Sequence, residues 1–290
     1  MGETGKIELM IEDMMTTVTC VVDNAAKAGC GLKTEHGVAF WIEMVTGTAL
    51  FDTGQSAKAL TRNLKKLTLH LENVDALALS HAHFDHTGGL DAVLTHKPNL
   101  PVYANADIFR PKFSKKNGRY EANAFDHPRP HYEARAEWRL SDEPQEIFTN
   151  LWTSGLIAER PYPEGRSSSH YARDGGEFIP DPYADDMSLV LKTGAGLAVI
   201  CGCCHAGLLN TLAHVRENFE GPVIAVMGGT HLMAAEGETL RMVVDILKSE
   251  YPAARFYLNH CTGEDALKSL KNAFGDLAAH FKAGASVSFA

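Results

Sequence analysis

The chain has 290 residues, of which 45% are hydrophobic and 22% charged, and its formal net charge is -9 with neutral histidines. This composition is typical of a soluble globular protein with one large or two small domains. An acidic surface argues against broad nucleic-acid binding, which needs a basic face, so we expect no nucleic-acid partner. The N-terminus lacks a signal-peptide pattern, and no apolar run approaches the roughly 20 residues of a membrane span. We therefore expect a cytoplasmic protein without a membrane partner.

Short apolar runs bounded by glycine, proline or asparagine predict strands, and runs with apolar residues at helical spacing predict helices. The predicted strands cover residues 17–22, 37–44, 48–54, 76–81, 101–105, 188–194, 196–202, 222–229 and 255–261. The predicted helices cover residues 56–67, 88–97, 207–219, 237–251 and 264–274. Paired strands followed by helices favour an α/β sandwich of mixed sheets with helices outside, rather than strict alternation of strand and helix.

Residues 106–185 differ from the rest because they are polar and rich in proline, glycine and aromatic residues. We predict one domain spanning residues 1–290, with an irregular insertion over 106–185. Long irregular segments in compact domains commonly form lids or substrate-binding loops, and a solvated surface insertion is the alternative. A basic run inside it could hold a phosphate group or could simply be solvated. That run comprises Lys112, Lys115, Lys116 and Arg119.

The stretch LSHAHFDHTGGL, residues 79–90, places three histidines and an aspartate within six positions. It follows a predicted buried strand, and ligands collect at the ends of strands in α/β folds. Imidazole and carboxylate groups bind zinc, iron or manganese. His81 and His83 could face one metal while Asp85 and His86 face a second, which is the arrangement of two-metal hydrolysis. The stretch therefore predicts a dinuclear metal centre.

Other predicted strands also end in histidine. His205, His231 and His260 each follow such a strand, and together with the cluster they support a metal centre. The adjacent carboxyl residues at 185 and 186 precede another strand pair, where they could approach the site or cap the hairpin. The six cysteines are expected to be reduced thiols. CGCCH, residues 201–205, lacks the second ligand pair of a structural zinc site.

The pattern His81-x-His83-x-Asp85-His86 resembles the HxHxDH signature of the metallo-β-lactamase superfamily. LFDTG, residues 50–54, resembles the strand and turn that this superfamily places beside its metal loop. The resemblance spans nearly the whole chain, and it implies an αββα sandwich with the metals at one edge between two mixed sheets. The segments DDMSLVLKTGAGLAVICGCCHAG, VIAVMGGTHL and LNHCTGEDA are similar to a subgroup labelled 7,8-dihydropterin-6-ylmethyl-4-(β-D-ribofuranosyl)aminobenzene-5'-phosphate synthase, a dihydropteroate-synthase-like step of methanopterin biosynthesis.

The resemblance also implies a role for each matching residue. Asp85 would bind a metal and act in catalysis by orienting water or moving a proton. Asp52 would steady the metal loop from behind the ligands, and His231 would contact the metal or the substrate. The metal ligands implied are His81, His83 and His205 for the first ion, and Asp85, His86 and His260 for the second.

The chain departs from this superfamily at one point. Many members bridge the two metals with an aspartate at the end of a strand, but the matching strand here ends at Cys203, Cys204 and His205. Either Cys203 or His205 could take the bridging position, or water alone could bridge the two ions.

These residues lead us to expect a metal-dependent hydrolase that uses metal-bound hydroxide on a small ester- or phosphate-bearing substrate. The cofactors would be two divalent ions, with zinc as first choice and iron or manganese as alternatives. One alternative function is a transferase that joins a pterin methyl diphosphate to an arylamine ribose phosphate. Another is a non-catalytic ligand sensor with the same fold. The sequence leaves the substrate and the oligomeric state open.

Overall fold

The structure is a computed structural model that describes residues 15–235 and 237–290. The expectation about a signal peptide concerns the first 14 residues and lies outside the described residues. In chain order the strands are β1 (Thr16–Val22), β2 (Ala39–Met44), β3 (Gly47–Phe51), β4 (Ala76–Ala78), β5 (Leu100–Ala104), β6 (Lys112–Lys116), β7 (Arg119–Ala122), β8 (Ala136–Leu140), β9 (Glu146–Phe148), β10 (Leu151–Thr153), β11 (His170–Asp174), β12 (Glu177–Pro180), β13 (Ser188–Thr193), β14 (Gly196–Cys201), β15 (Val223–Gly228), β16 (Arg255–Leu258), β17 (Ala278–His280) and β18 (Ser286–Phe289).

The α-helices lie between these strands. Five of them agree closely with the predicted helical segments, whereas the short helices over residues 84–87 and 129–133 were not predicted. The helices are α1 (Ala57–Lys66), α2 (Phe84–Thr87), α3 (Leu90–His96), α4 (Arg129–Glu133), α5 (Leu208–Asn218), α6 (Gly237–Glu250) and α7 (Glu264–Phe274). Ser56 begins α1 as its N-cap, because its side chain accepts a hydrogen bond from the Ala59 N–H. No helix in the described ranges is long and apolar enough to cross a membrane.

Two seven-stranded sheets form the centre of the molecule. The first has the order β18-β1-β2-β3-β4-β5-β8 and the second the order β17-β16-β15-β14-β13-β10-β9. Both sheets are mixed: β1 pairs antiparallel with β2 and with β18, while β3, β4, β5 and β8 run parallel. In the second sheet β13 and β14 are antiparallel, and β14 to β17 are parallel. The predicted mixed α/β architecture is therefore confirmed.

The packing of the sheets follows from the two-residue period of their side chains. In β2, Phe40 and Ile42 belong to the core that the two sheets share, together with Ile200 and Met227 of the second sheet. Trp41, between them, points to the opposite face. Helices α1 and α3 cover that outer face, and α5, α6 and α7 cover the outer face of the second sheet. Strands buried on both faces read as continuous apolar runs, which is why the sequence predicts them well.

Residues 106–185 are more regular than their composition predicts. β8 extends the first sheet, β9 and β10 extend the second, and β12-β11-β6-β7 form a separate four-stranded sheet. These strands have three to five residues, and those of the small sheet carry exposed polar side chains. Their stability depends on distant partners, as in the pairing of Tyr171 with Phe113. Local sequence pattern carries little of that information.

Candidate metal centre

Ligand-type side chains from both sheets meet at one edge of the sandwich. β4 leads into the loop of His81 and His83, and β14 leads into Cys203 and His205. β15 and β16 end just before two further predicted site residues, His231 and His260. All of these are carboxyl ends of strands in parallel pairs, where α/β folds collect ligands. The edge opens into a cleft of about 430 Å³, whose lining includes His83, Asp85, Cys203, His205, His231 and His260.

The first ligand cluster comprises His81, His83 and His205, whose ligand atoms all lie within 4.8 Å of one another. His81 Nε2 lies 3.0 Å from His83 Nδ1. Two nitrogens on one tetrahedral zinc ion are separated by about 3.3 Å, so this spacing suits a shared ion. His205 Nε2 is buried and has no hydrogen-bond partner among the described residues. Burial lowers the pKa of all three histidines, which favours the neutral form that binds metals.

Asp52 supports the metal loop from behind. Its buried carboxylate accepts hydrogen bonds from the Ser80 N–H, the Ser80 hydroxyl and His86 Nδ1, each at 2.7 Å. The Ser80 hydroxyl also lies 2.9 Å from His81 Nδ1. Because His86 Nδ1–H donates to this carboxylate, Nε2 is the ring nitrogen left for a metal, and it lies on the side of Cys203. Asp52 thus contacts the loop from the side opposite the cleft, and its role in supporting metal ligands stays a prediction.

The second ligand cluster comprises Asp85, His86, His260 and Cys203. Asp85 Oδ2 lies 3.3 Å from His260 Nε2 and 3.7 Å from His86 Nε2. His86 Nε2 is 3.1 Å from Cys203 Sγ. Burial opposes ionisation of Asp85, but the neighbouring histidines outweigh it and lower the pKa of the carboxyl group. Asp85 is therefore an anion facing the cleft.

Cys203 of the second cluster also lies close to His81 of the first cluster. Its sulfur belongs to one group of possible metal ligands with His81 and His86, and to another with His260 and Cys261. Among the alternatives for the bridging position, Cys203 has this shared placement, whereas His205 belongs to the first cluster alone.

His36 is a site residue that the sequence analysis missed. His36 Nε2 lies 3.2 Å from Asp85 Oδ2, and the side chain is half exposed. The Asn24 amide lies between two rings, since Nδ2 is 3.3 Å from His36 Nδ1 and Oδ1 accepts from His260 Nδ1 at 3.0 Å. A Cβ on Gly37 would lie 2.4 Å from the Asp85 carbonyl oxygen, so this glycine lets the loop approach. The glycine after His36 was the available signal.

The carboxyl groups at 185 and 186 hold the ligand loops in place. Asp185 Oδ2 accepts from the Ala82 N–H at 2.9 Å, between the candidate ligands His81 and His83. Asp186 Oδ2 accepts from the Ala206 N–H at 2.8 Å, next to His205. Both carboxylates are buried and bind the backbone of the two loops. Their role is to position the ligand loops.

The basic run separates into groups with different surroundings. Lys112 is buried, and its ammonium group donates to Asp185 Oδ1 at 2.7 Å and to Asp181 Oδ1 at 2.8 Å. Lys115 lies over the Tyr120 ring, 5.2 Å from its centroid. Lys116 lines the cleft. Of the predicted phosphate-binding run, Lys116 is thus the residue placed to meet a ligand in the cleft.

The raised pKa of Asp186 makes the free energy of unfolding depend on pH. Burial raises its pKa from the ordinary 3.8 to about 7. Between these two pH values the folded chain therefore keeps a proton that the unfolded chain has released. The stability contributed by this group is full below pH 3.8 and is lost as pH rises through about 7.

We expect Asp186→Asn to lessen this loss. Relative to the unaltered chain, the variant should gain free energy of unfolding between about pH 4 and about pH 7, by at most about 1.4 kcal/mol per pH unit. Urea unfolding of both proteins in the same metal-loading state measures the difference. A difference that stays constant across this range would contradict the raised pKa.

The remaining histidines divide between the cleft and the surface. The His231 ring lies 4.3 Å from that of His205, and burial lowers the pKa of His231 to about 4. The His170 ring lies 4.7 Å from that of His83 and also lines the cleft. His127 and His131 instead form a cluster with Asp91 outside the cleft lining.

The mouth of the cleft combines apolar and polar groups. Phe84 is 38% exposed and Met233 59% exposed, and both line the cleft, which identifies an apolar contact area beside the candidate ligands. Polar donors on the small sheet and nearby loops line the same cleft. They are Ser114, Lys116, Asn123 and Ser167.

Comparison with known proteins agrees with this geometry. Residues 33–164 match the family model described as the metallo-beta-lactamase superfamily. The chain is 26% identical over 266 residues to a 7,8-dihydropterin-6-methyl-4-(beta-D-ribofuranosyl)-aminobenzene-5'-phosphate synthase of Methanocaldococcus jannaschii, covering 88% of this chain and 90% of that protein. It is 30% identical over 239 residues to an uncharacterized protein of the same organism, covering 81% of this chain and 87% of that protein.

Solved structures show the same relationship. A crystal structure described as a metal-dependent hydrolase of the beta-lactamase superfamily superposes with a TM-score of 0.80 at 25% identity, covering 94% of this chain and 98% of that chain. The metallo-beta-lactamase fold protein YhfI from Bacillus subtilis superposes with a TM-score of 0.57 at 15% identity, covering 95% and 99% of the respective chains.

Proposed function

The chain belongs to the metallo-β-lactamase superfamily and is an enzyme, and we propose that it hydrolyses a small phosphate- or ester-bearing molecule with two divalent metal ions. The observation that carries the proposal is the meeting of two ligand clusters at one cleft, with Cys203 shared between their groups. One buried ring nitrogen, His205 Nε2, has no hydrogen-bond partner among the described residues. A buried imidazole nitrogen in that state suits a metal ligand.

Bound divalent ions would supply a water molecule of lowered pKa and would stabilise negative charge on the substrate. Side chains of the protein would carry out the proton transfers. The Asp85 carboxylate faces the cleft and can accept a proton from water. His36 Nε2, 3.2 Å away and half exposed, can then pass the proton to solvent. The hydrogen bond to Asp85 raises the pKa of His36 and outweighs the opposite effect of burial. The raised pKa favours the protonated ring, so His36 can accept that proton.

The lining of the cleft suits a substrate with a phosphate or ester group at one end and an apolar group at the other. Lys116, Ser114 and Ser167 offer donors for phosphate or ester oxygens. Phe84 and Met233 offer apolar contact at the mouth. A small organic phosphate with a flat apolar group fits both features. Zinc suits the second cluster better than manganese, because the thiol of Cys203 is a soft ligand.

Metal content per chain is the direct test of this proposal. The chain should be purified without chelator or added metal and analysed by elemental mass spectrometry. About two ions per chain would support the dinuclear site, whereas about one would overturn it in favour of a mononuclear centre. Near zero, without uptake on titration, would overturn the metalloenzyme assignment. Hydrolysis of phosphomonoesters, phosphodiesters, lactones and thioesters by the metal-loaded protein then identifies the bond that it cleaves.

A second candidate function is favoured by the relative named as a synthase. In a transferase, an arylamine would replace water as the attacking group, and a diphosphate would leave the pterin methyl carbon. The donors near Lys116 would hold the diphosphate, and the arylamine would occupy the mouth beside Phe84. The two functions are separated by incubating a pterin methyl diphosphate with and without an arylamine. Diphosphate release that requires the arylamine indicates a transferase, while release without it indicates a hydrolase.

A further inference from the structure

Two cysteines meet inside the cleft. Cys203 Sγ and Cys261 Sγ are 3.3 Å apart, and both residues are buried and line the cleft. Of the six cysteines, all within the described part of the chain, none of the other four lines it. This distance exceeds the about 2.05 Å of an S–S bond by little more than 1 Å. The two sulfurs are therefore close enough to react with each other.

The close approach of the two sulfurs depends on a glycine that follows the strand between them. Cys203 follows β14 and Cys261 follows β16, while β15 lies between these strands. Beyond β15 the chain continues as Gly229, where a Cβ would lie 2.7 Å from Cys261 Sγ and 2.4 Å from the Gly202 carbonyl oxygen. Because glycine has no side chain, the loops on either side close over the end of β15.

We infer that Cys203 and Cys261 are a redox-active thiol pair, and that their oxidation to a disulfide disables the second ligand cluster. The Cys203 sulfur lies 3.1 Å from His86 Nε2 and shares a group of possible metal ligands with His260. A sulfur tied into a disulfide no longer provides a thiolate ligand. Oxidation would thus remove one ligand from the second metal position. This consequence rests on the proposed function, whereas the disulfide itself does not.

Hydrogen peroxide is an oxidant small enough to enter the cleft. One thiol sulfur attacks the peroxide, an S–O bond forms, the O–O bond breaks and one water leaves. The second sulfur attacks the resulting sulfenic acid, the S–S bond forms, the S–O bond breaks and a second water leaves. Two thiols and one peroxide give one disulfide and two waters, so the step balances. A thiol reductant reverses it by exchange.

The test uses the full metal-loaded chain, treated with hydrogen peroxide and then with a thiol-blocking reagent. We expect the six free thiols to fall by two, the mass to fall by two hydrogen atoms, and one linked peptide pair to join Cys203 with Cys261. About one metal ion per chain should be released to a chromogenic chelator, and a reductant should restore its binding. A link between other cysteines, or both thiols remaining free, would overturn the pair.

Variants identify the sulfurs independently of catalysis. C261S and C203S should each abolish the linked peptides, while C204S, at a neighbouring buried cysteine outside the cleft lining, should retain them. Disulfide formation without metal release would overturn the effect on the second cluster. If the isolated chain proves to hold no metal, the thiol count and the peptide link still test the pair. The failure of the proposed function and the failure of the thiol pair are therefore distinguishable.

Discussion

Replacing His83 with alanine is expected to remove about one metal ion per chain and to lower activity by more than about 100-fold, since even changes to the partners of metal ligands cost about 10- to 100-fold. The physical reason is the first ligand cluster. His83 Nδ1 lies 3.0 Å from His81 Nε2, and the two rings pack with that of His205. Losing one of three imidazoles leaves two ligands, too few to hold a catalytic zinc ion firmly.

Elemental analysis and turnover measured on the same preparations test this prediction. The matched control is His96→Ala, a histidine-to-alanine change at an exposed position outside the cleft. We expect the control to keep full metal content and activity. His83→Ala with unchanged metal content and unchanged activity would contradict the assignment of the first ligand cluster. Circular dichroism of both variants establishes whether the fold is retained.

Replacing Lys112 with methionine is expected to lower the free energy of unfolding by about 3–5 kcal/mol, because it leaves buried carboxylates without a partner. The ammonium group lies between Asp181 and Asp185 and is almost fully buried. Burial alone lowers the pKa of Lys112, but the two carboxylates outweigh it and raise the pKa. The change should also loosen the metal loop, since Asp185 binds the Ala82 N–H.

Chemical denaturation compares this variant with Lys115→Met, a neighbouring exposed lysine whose loss should cost no more than about 1 kcal/mol. Adding Asp181→Asn and Asp185→Asn to Lys112→Met removes both unpaired charges and should recover part of the loss. If Lys112→Met and Lys115→Met prove equally stable, the buried carboxylates do not need the Lys112 ammonium group as a partner, and the prediction is wrong.

The sandwich was predictable because its signals are local. Strands such as β2 and β14 are buried on both faces and appear as unbroken apolar runs. The metal loop was predictable for the same reason, since four candidate ligands lie within six positions. The four-stranded sheet was not predictable, because strands such as β7 and β12 contain only exposed and half-buried residues, and the two hairpins of the sheet join through the distant pair β6 and β11.

The missed parts of the site depend on contacts between distant segments. His36 reaches Asp85 across 49 positions, and Cys261 reaches Cys203 across 58. Neither residue has a neighbouring motif that indicates its partner. The basic run illustrates the opposite error, since adjacent lysines with similar sequence surroundings are placed in a buried ion group, over an aromatic ring and in the cleft. Sequence spacing alone does not distinguish these environments.

The pairing of β1 with β18 has a consequence for the order in which the molecule folds. Thr16 lies opposite Phe289, so the first sheet is completed only when segments far apart in the chain meet. Asp23, just after β1, accepts a hydrogen bond from the His260 N–H at 2.8 Å, which links early chain to late chain at the ligands. Contacts of such long sequence separation form slowly. We therefore expect the candidate second metal position to assemble late in folding, after the sheets have formed their more local contacts.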